Sequence, residues 1–572
     1  MPGRVGTRAG GREREPAAAA RGVRAPRPPA KLGIRRVSSA PEAKSFWGWG
    51  LADRFPDRET RAALGEQVSS RLGFAPGEVR DPPRIEALRL PAPARDVPPR
   101  LEPFVTAALE ERVRHTYGRG YGDLVRGFAG DFSVAPDWVA IPSNEEQIRE
   151  LFDWCAGARF ALIPFGGGTS VVRGVERPGR GERGAVSLDL RRFDRVLEVD
   201  PISRAARIAA GAKGPALEAQ LAAHGLTLRH YPQSFEHSTL GGWIATRAGG
   251  HYATLRTRID DFVESVRMVS PAGVLETRRL PSSGAGPSPE RWVLGSEGTL
   301  GVITEAWLRV SERPRHRARA SVHFATFAAG AEGARRIVQA GLHPANCRLL
   351  DPVEAELNAV ASGRAAVLLL AFESADHSLE GELARAIEIA REAGGTLAGA
   401  PSVRGPSDEA RSGGDAERWR EAFFAAPYLQ NVMVSLGVIA DTFETACTWQ
   451  RFTDLHQGVT ARVEEALARV AGAGRVSCRL THVYPDGPAP YFTFLAPARR
   501  GAELEQWTEI KTAASEAILA LGGTITHHHA VGRLHRPWYD RERPEVFAQA
   551  LSAAKKALDP SGILNPGVLI DP

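Results

Sequence analysis

The chain has 572 residues, 43% apolar and 24% charged, which is enough to bury more than one core and ordinary for a globular protein. Its formal net charge of +6 does not mark a nucleic-acid binder, because residues 1–36 alone carry +8 and the rest of the chain −2. No run approaches the roughly 20 apolar residues of a membrane span, and four scattered cysteines (Cys155, Cys347, Cys447, Cys478) without a C-x-x-C argue against a disulfide framework or a thiolate metal site and fit a reducing cytoplasm.

Residues 1–40 are rich in Arg, Ala, Gly and Pro. They hold too few large apolar residues to offset ordering entropy and are expected to be a disordered basic tail. An extension follows over 41–133. It opens with Phe46-Trp47-Gly48-Trp49-Gly50, runs on with recurrent Pro and Arg as a segment laid over the main body, and has a helix near 107–116. Strand and helix patterns then alternate over 134–312. Strands are expected at 138–141, 160–163, 186–190, 196–199, 206–210, 263–269 and 292–294. Ser143 to Glu146 reads as a capping box, with Ile148, Leu151, Phe152 and Cys155 at helical spacing behind it. Pro215 opens a further helix and Gly225 closes it. The texture changes near Pro314, so 313–500 is taken as a second domain. It has a buried strand at 365–372, amphipathic helices at 384–393 and 462–471, and a surface loop at 401–418. The segment 501–572 carries a helix at 503–521, a histidine cluster and a closing helix that ends at Asp559-Pro560. The pattern is α+β.

Three glycine-rich stretches carry chemistry. Pro164-Phe165-Gly166-Gly167-Gly168-Thr169-Ser170 follows a strand, so its backbone can approach a ligand closely and its N–H groups can cradle a diphosphate. It is not the G-x-G-x-x-G of a Rossmann turn, which disfavours a nicotinamide site. The second stretch runs from Gln233 and Ser234 through Ser238, Thr239 and Gly241 to Thr246, Arg247, Ala248 and Gly249. The third is Glu297-Gly298-Thr299-Leu300-Gly301-Val302-Ile303. Both place hydroxyls and small residues beside glycines, which suits a flat ring and a ribityl chain.

In order and wording these motifs resemble the FAD-binding domain of the vanillyl-alcohol-oxidase group. The resemblance implies a two-subdomain FAD-binding (PCMH-type) domain, a mixed-sheet substrate or cap domain, and noncovalent FAD. It assigns the pyrophosphate to Pro164–Ser170, the ring and ribityl to the second stretch, and the close of the nucleotide site to the third. Two further segments discriminate within the group. His527-His528-His529 stands where hydroxy-acid dehydrogenases carry E-H-G-I-G. His482 lacks the second histidine with which those enzymes hold a metal. Three histidines in a row cannot all converge on one ion, so no metal is expected. Both features resemble the alkyldihydroxyacetonephosphate synthases, as does the chain from Phe46 to Pro566.

That resemblance implies exchange of the acyl chain of acyl-dihydroxyacetone phosphate for a long-chain fatty alcohol, giving an ether lipid precursor without net redox change. The alternative is a flavin-linked dehydrogenase or oxidase of a 2-hydroxy acid or alcohol. By the family match Tyr491 is the candidate catalytic tyrosine, its phenol made acidic by cationic histidines. His527, His528 and His529 would bind phosphate and relay protons, and Arg348 would grip the phosphate. A core tyrosine and an Arg348–Asp351 salt bridge are the structural alternatives. His482 and Arg533 are weaker candidates. Two departures stand out. Gln430 occupies a position where the family has a substrate-binding arginine, and a glutamine cannot offer a bidentate charged grip. Ala530 replaces a glycine. The partners implied are small lipid substrates and no nucleic acid; peripheral membrane contact is expected from the lipid chemistry, and a homodimer is compatible with the family.

Overall fold

The computed structural model describes residues 44–179, 184–361, 363–408 and 415–571. The basic tail expected over 1–40 lies outside the described residues, as does the middle of the 401–418 loop. Two sheets form the first half. Strands β1 (Val105–Thr106), β2 (Trp138–Ala140), β3 (Ala161–Phe165) and β4 (Ala185–Asp189) lie in the order β1-β2-β4-β3. Both β2 and β3 are parallel to β4, which is buried along its whole length, as a covered parallel strand must be. Helix Glu145–Ala158 links β2 to β3 and turns Ile148, Leu151, Phe152 and Cys155 into the core. Its cap sits one residue later than the expected box. Asn144 accepts from the Gln147 N–H, and Gln147 accepts in return from the Ser143 N–H; Asn and Ser cap about equally well, so composition alone could not choose between them.

The second sheet is antiparallel, ordered β5-β6-β10-β8-β9. Its strands are β5 (Val196–Asp200), β6 (Ala205–Ala209), β8 (Val263–Ser270), β9 (Gly273–Glu276) and β10 (Val302–Arg309). A short β7 (Leu226–Thr227) pairs with β11 (Ser311–Glu312). Residues 292–294 are not the expected strand: helix Glu290–Val293 covers most of them and buries only Val293. So short an apolar run has no period to read.

The cap is built on eight strands: β12 (His316–Phe324), β13 (Asn346–Leu350), β14 (Ala366–Ser374), β15 (Thr396–Leu397), β16 (Ser402–Arg404), β17 (Val438–Glu444), β18 (Arg475–Val483) and β19 (Pro488–Pro497). They run β15-β12-β14-β13-β18-β19-β17, with β16 also on β12. The cap mixes helices with sheet as expected, but its strand pairing is antiparallel rather than mixed. β16 also replaces part of the expected 401–418 loop, and a helix, Asp415–Ser435, begins inside it.

Register positions the site. Arg479 faces Leu350 on one side and Tyr491 on the other, and Tyr491 faces Glu444. Cross-strand partners share a face, as do residues two apart on one strand. Arg348, Arg479, Tyr491 and Glu444 therefore project as a row from one face of the sheet. From the opposite face Cys478, Phe492 and Phe494 pack under Leu455, Val459 and Val463 of helix Trp449–Ala471.

Candidate active site

The flavin-type loops present their backbone rather than their side chains to a ligand. Gly168 is left-handed (φ +68°), and a Cβ on Gly166 or Gly167 would collide with Thr239 or with the His237 carbonyl. Among the described residues, the N–H groups of Gly166, Gly167, Gly168, Thr169 and Ser170 have no hydrogen-bond acceptor. Five successive free donors in a glycine turn form an anion nest and fit a dinucleotide's diphosphate. Thr239 caps helix Leu240–Thr246, accepting from the Gly242 N–H. The Ser238 hydroxyl accepts from Trp243 Nε1 at 2.7 Å and donates to the Ser234 carbonyl. Thr246 donates to the Gly242 carbonyl, and Gly241 sits against Ala210. Gln233 Nε2 donates to the Phe423 carbonyl and so joins this stretch to the cap.

Several expected cofactor residues hold the fold with their side chains instead. Arg247 pairs with Asp260 at 2.6 Å. Ala248, Thr299, Leu300, Val302 and Ile303 are buried, Gly301 packs on Met268 and Gly298 on Pro164. The Glu297 carboxylate accepts from the N–H groups of Val531 and Gly532 at 2.9 and 2.8 Å. A near-continuous apolar string such as Leu300 to Ile303 marks a strand entering the core, and only its backbone can face a ligand.

Gly249, at the end of the second flavin stretch, brings the histidines to the flavin loops. A Cβ there would lie 3.1 Å from His528 Cβ and 3.2 Å from His482 Cε1. The loop 527–529 is held by Glu444 at the end of β17. Its buried carboxylate accepts from the N–H groups of His527 (2.6 Å), His528 (3.1 Å) and His529 (2.9 Å) and from the Thr526 hydroxyl (2.6 Å). Burial pushes its pKa up, but the three histidines and Thr526 outweigh that and hold Glu444 well below the usual carboxylate range. Burial holds the histidines themselves low: His527 falls to about 3, and His528, His529 and His482 also lie below 6.5. These lowered values work against the expectation that the histidines supply positive charge to Tyr491. Burial raises the Tyr491 phenol, with the Arg479 charge opposing. Tyr491 donates to Thr442 Oγ1 at 3.0 Å, and its ring stacks on His528 at 5.9 Å.

A chain of short contacts runs through this cluster. Thr257 Oγ1 meets the Tyr484 hydroxyl at 2.9 Å, which meets His527 Nε2 at 2.9 Å, and His527 Nδ1 meets His528 Nδ1 at 3.1 Å. His482 donates from Nε2 to the Gly250 carbonyl, and its buried Nδ1 has no partner. One ring nitrogen each from His482, His527 and His528 lies within 4.8 Å of the others. His482 from β18 joins two of the row's three histidines, so the exclusion argued from sequence spacing does not hold geometrically.

The sheet also carries Arg348, fully buried, contacting His251 Nδ1 at 3.4 Å and the His251 carbonyl at 3.2 Å. It does not pair with Asp351, which caps helix Pro352–Leu357 and accepts from the Cys478 N–H. Gln430 is not brought to the site: it accepts from Trp49 Nε1 and donates to the Ala440 carbonyl. Arg533 ties the Glu176 and Pro566 carbonyls together. Sequence reasoning missed Glu444, Tyr484, Thr257 and Arg479. Only the folded chain brings them together, Arg479 and Glu444 through strand register and Thr257 and Tyr484 through their hydroxyl contacts.

The family model described as FAD binding domain matches residues 136–278, and that described as FAD linked oxidases, C-terminal domain matches 313–569. With the two sheets and the free glycine nest, these define an FAD-binding enzyme of the FAD-linked oxidase type. An alkyldihydroxyacetonephosphate synthase of Dictyostelium discoideum is 30% identical over 486 residues, covering 80% of this chain and 77% of the relative. One of Caenorhabditis elegans is 30% identical over 499 residues, 81% of each chain. A solved alkyldihydroxyacetonephosphate synthase superposes with a TM-score of 0.74 at 25% identity, covering 91% of this chain and 98% of that one. The chain belongs to the alkyldihydroxyacetonephosphate synthase family.

Proposed function

We propose that the protein exchanges the acyl chain of acyl-dihydroxyacetone phosphate for a long-chain alcohol at the face of the sheet carrying Arg348 and Tyr491. The observation that carries the reading is the contact of Gly249, in a flavin stretch, with His528 and His482, which sets the histidines beside the cofactor loops. The backbone N–H groups of Gly166 to Ser170 would hold the diphosphate of FAD, which when bound would supply the chemistry for exchanging one chain for the other. The C1–O bond to the acyl group breaks and that group leaves as a carboxylate. The alcohol oxygen forms the new C1–O bond and gives up its proton, and no oxidant or reductant is consumed.

The chain's own residues handle protons and position. Only one of the facing Nδ1 atoms of His527 and His528 can carry the hydrogen between them. When it sits on His528, His528 Nε2 is a free acceptor. When it sits on His527, Nε2 is a donor, and Tyr484 turns its hydroxyl toward His527 Nε2. His528 Nε2 is therefore the base for the alcohol proton, with His527, Tyr484 and Thr257 as its relay. Tyr491, kept as a neutral phenol by burial, donates toward substrate oxygen. Arg348 draws the phosphate inward.

Among the described residues no helix is long and apolar enough to cross a membrane; the long-chain substrates place the working enzyme at a membrane surface. The test is to incubate FAD-loaded protein with palmitoyl-dihydroxyacetone phosphate and labelled hexadecanol and to look for labelled alkyl ether by mass spectrometry. Ether that falls by about a hundredfold or more in Tyr491→Phe supports the proposal. Absence of ether from flavin-loaded protein, together with anaerobic bleaching of the flavin by a 2-hydroxy acid, would replace it with the dehydrogenase alternative.

A further inference from the structure

Arg479 belongs to no motif function assigned above, yet its surroundings are unusual. It projects from β18 between two aromatic rings, its guanidinium 3.9 Å from the centre of the Tyr491 ring and 5.2 Å from that of Trp419. Arg348 approaches the same Trp419 ring at 5.3 Å. Both arginines are buried, at 6% and 0% exposure, and the Nε atom of each is buried with no partner. One carboxylate, Glu354, is bonded to Arg479 and shared with the Ser477 hydroxyl; Arg348 has no carboxylate partner among the described residues. Asp351 commits its oxygens to the Glu354 and Cys478 N–H groups, and burial raises its carboxyl to about 7. His251, beside Arg348, is neutral, pushed well below its ordinary value by burial and then by the Arg348 charge. Two buried cations therefore face one committed anion. Like charges in a medium of low dielectric repel strongly unless an anion lies between them.

We propose that Arg348 and Arg479 form a two-arginine clamp for a phosphate dianion across Trp419, with Arg479 taking the role that Gln430, held by Trp49 and Ala440, cannot take. The inference rests on the reading that the substrate carries a phosphate, and it names the residue that recognises it. With Glu354 counted, the pair keeps one net positive charge to attract an anion, and two guanidinium forks match the several oxygens of a phosphate better than the two of a carboxylate. Arg479 touches the Tyr491 ring as well, so filling the clamp draws positive charge from that ring and sets the phenol against the bound substrate.

The experiment titrates the FAD-loaded protein with glycerol 3-phosphate and, separately, with glycerol, following heat by calorimetry. Wild type should bind glycerol 3-phosphate and not glycerol. Arg479→Gln and Arg348→Gln should each weaken that binding roughly tenfold to a hundredfold, the effect of losing a charge-assisted pair, and Arg479→Lys should recover part of it. Because Arg479→Gln strands the buried Glu354, the double variant Arg479→Gln with Glu354→Gln keeps a neutral hydrogen-bonded pair and tests the idea in a folded protein. Wild-type affinity in a double variant of normal flavin content overturns the clamp, as does absence of binding to wild type at millimolar ligand. Loss of phosphate binding in the variants, together with failure of wild type to form ether, would keep the clamp and discard the exchange reaction.

Discussion

At the scale of single residues, the histidine loop owes its form to Glu444. A buried carboxylate that accepts from three consecutive backbone N–H groups is both a cap and a fixed charge. Glu444→Gln removes the charge and turns an amide N–H₂ toward donors. It should cost on the order of 2–3 kcal/mol of stability, as for lost charged hydrogen bonds, seen as a lower denaturant midpoint. Activity should fall with it, because His527 and His528 lose their fixed spacing. The pH sign follows from the depressed pKa: the stabilisation is complete above the ordinary glutamate value of 4.5 and disappears as pH falls through the lower folded value. In an acid titration the variant should therefore show a flatter decline than wild type. A variant as stable and as active as wild type would show that the loop stands without its carboxylate.

At the scale of elements, the N-terminal stretch is part of the body rather than a covering. Trp47 and Trp49 are both buried, and Asn431 both donates to and accepts from the Trp49 backbone. Gln430 holds the Trp49 indole on one side and the β17 backbone on the other. Gln430→Ala should lower stability by about 1–3 kcal/mol, the cost of stranding buried partners, and leave KM for the phosphate substrate within about twofold. A large rise in KM with unchanged stability would return Gln430 to the substrate site. The two Trp-Gly pairs were legible only as part of a segment laid over the main body. Helix Arg58–Leu72 behind them was not, because only Arg61, Gly65 and Leu72 of it are buried and no apolar stripe marks its face.

At the scale of the whole molecule, the C-terminal chain returns to the flavin loops and closes the protein. Leu564 bridges to Leu162 beside β3, Asn565 donates to the Gly174 and Glu297 carbonyls, and Glu297 holds Val531 and Gly532. Burial raises Glu297 to about 7 from an ordinary 4.5, against the pull of those two N–H groups. Its folded form thus binds a proton more tightly than the unfolded chain does. The associated stability is fully present below pH 4.5 and is lost as pH rises through 7. Melting temperatures across pH 4.5–8 should show this fall in wild type and not in Glu297→Gln; parallel curves would mean that Glu297 stays ionised throughout. By itself the sequence determined what local rules and motif wording encode: the α+β pattern, the flavin glycines whose backbone N–H groups form the nest, and the family to which the chain belongs. Tertiary structure alone decided which side chains meet. Strand register across β13, β18, β19 and β17 lined up Arg348, Arg479, Tyr491 and Glu444, residues up to 143 positions apart. It also gave Glu297 and Gln430 hydrogen-bond partners within the protein that the sequence did not announce, because partners so distant in sequence leave no periodic trace in the chain.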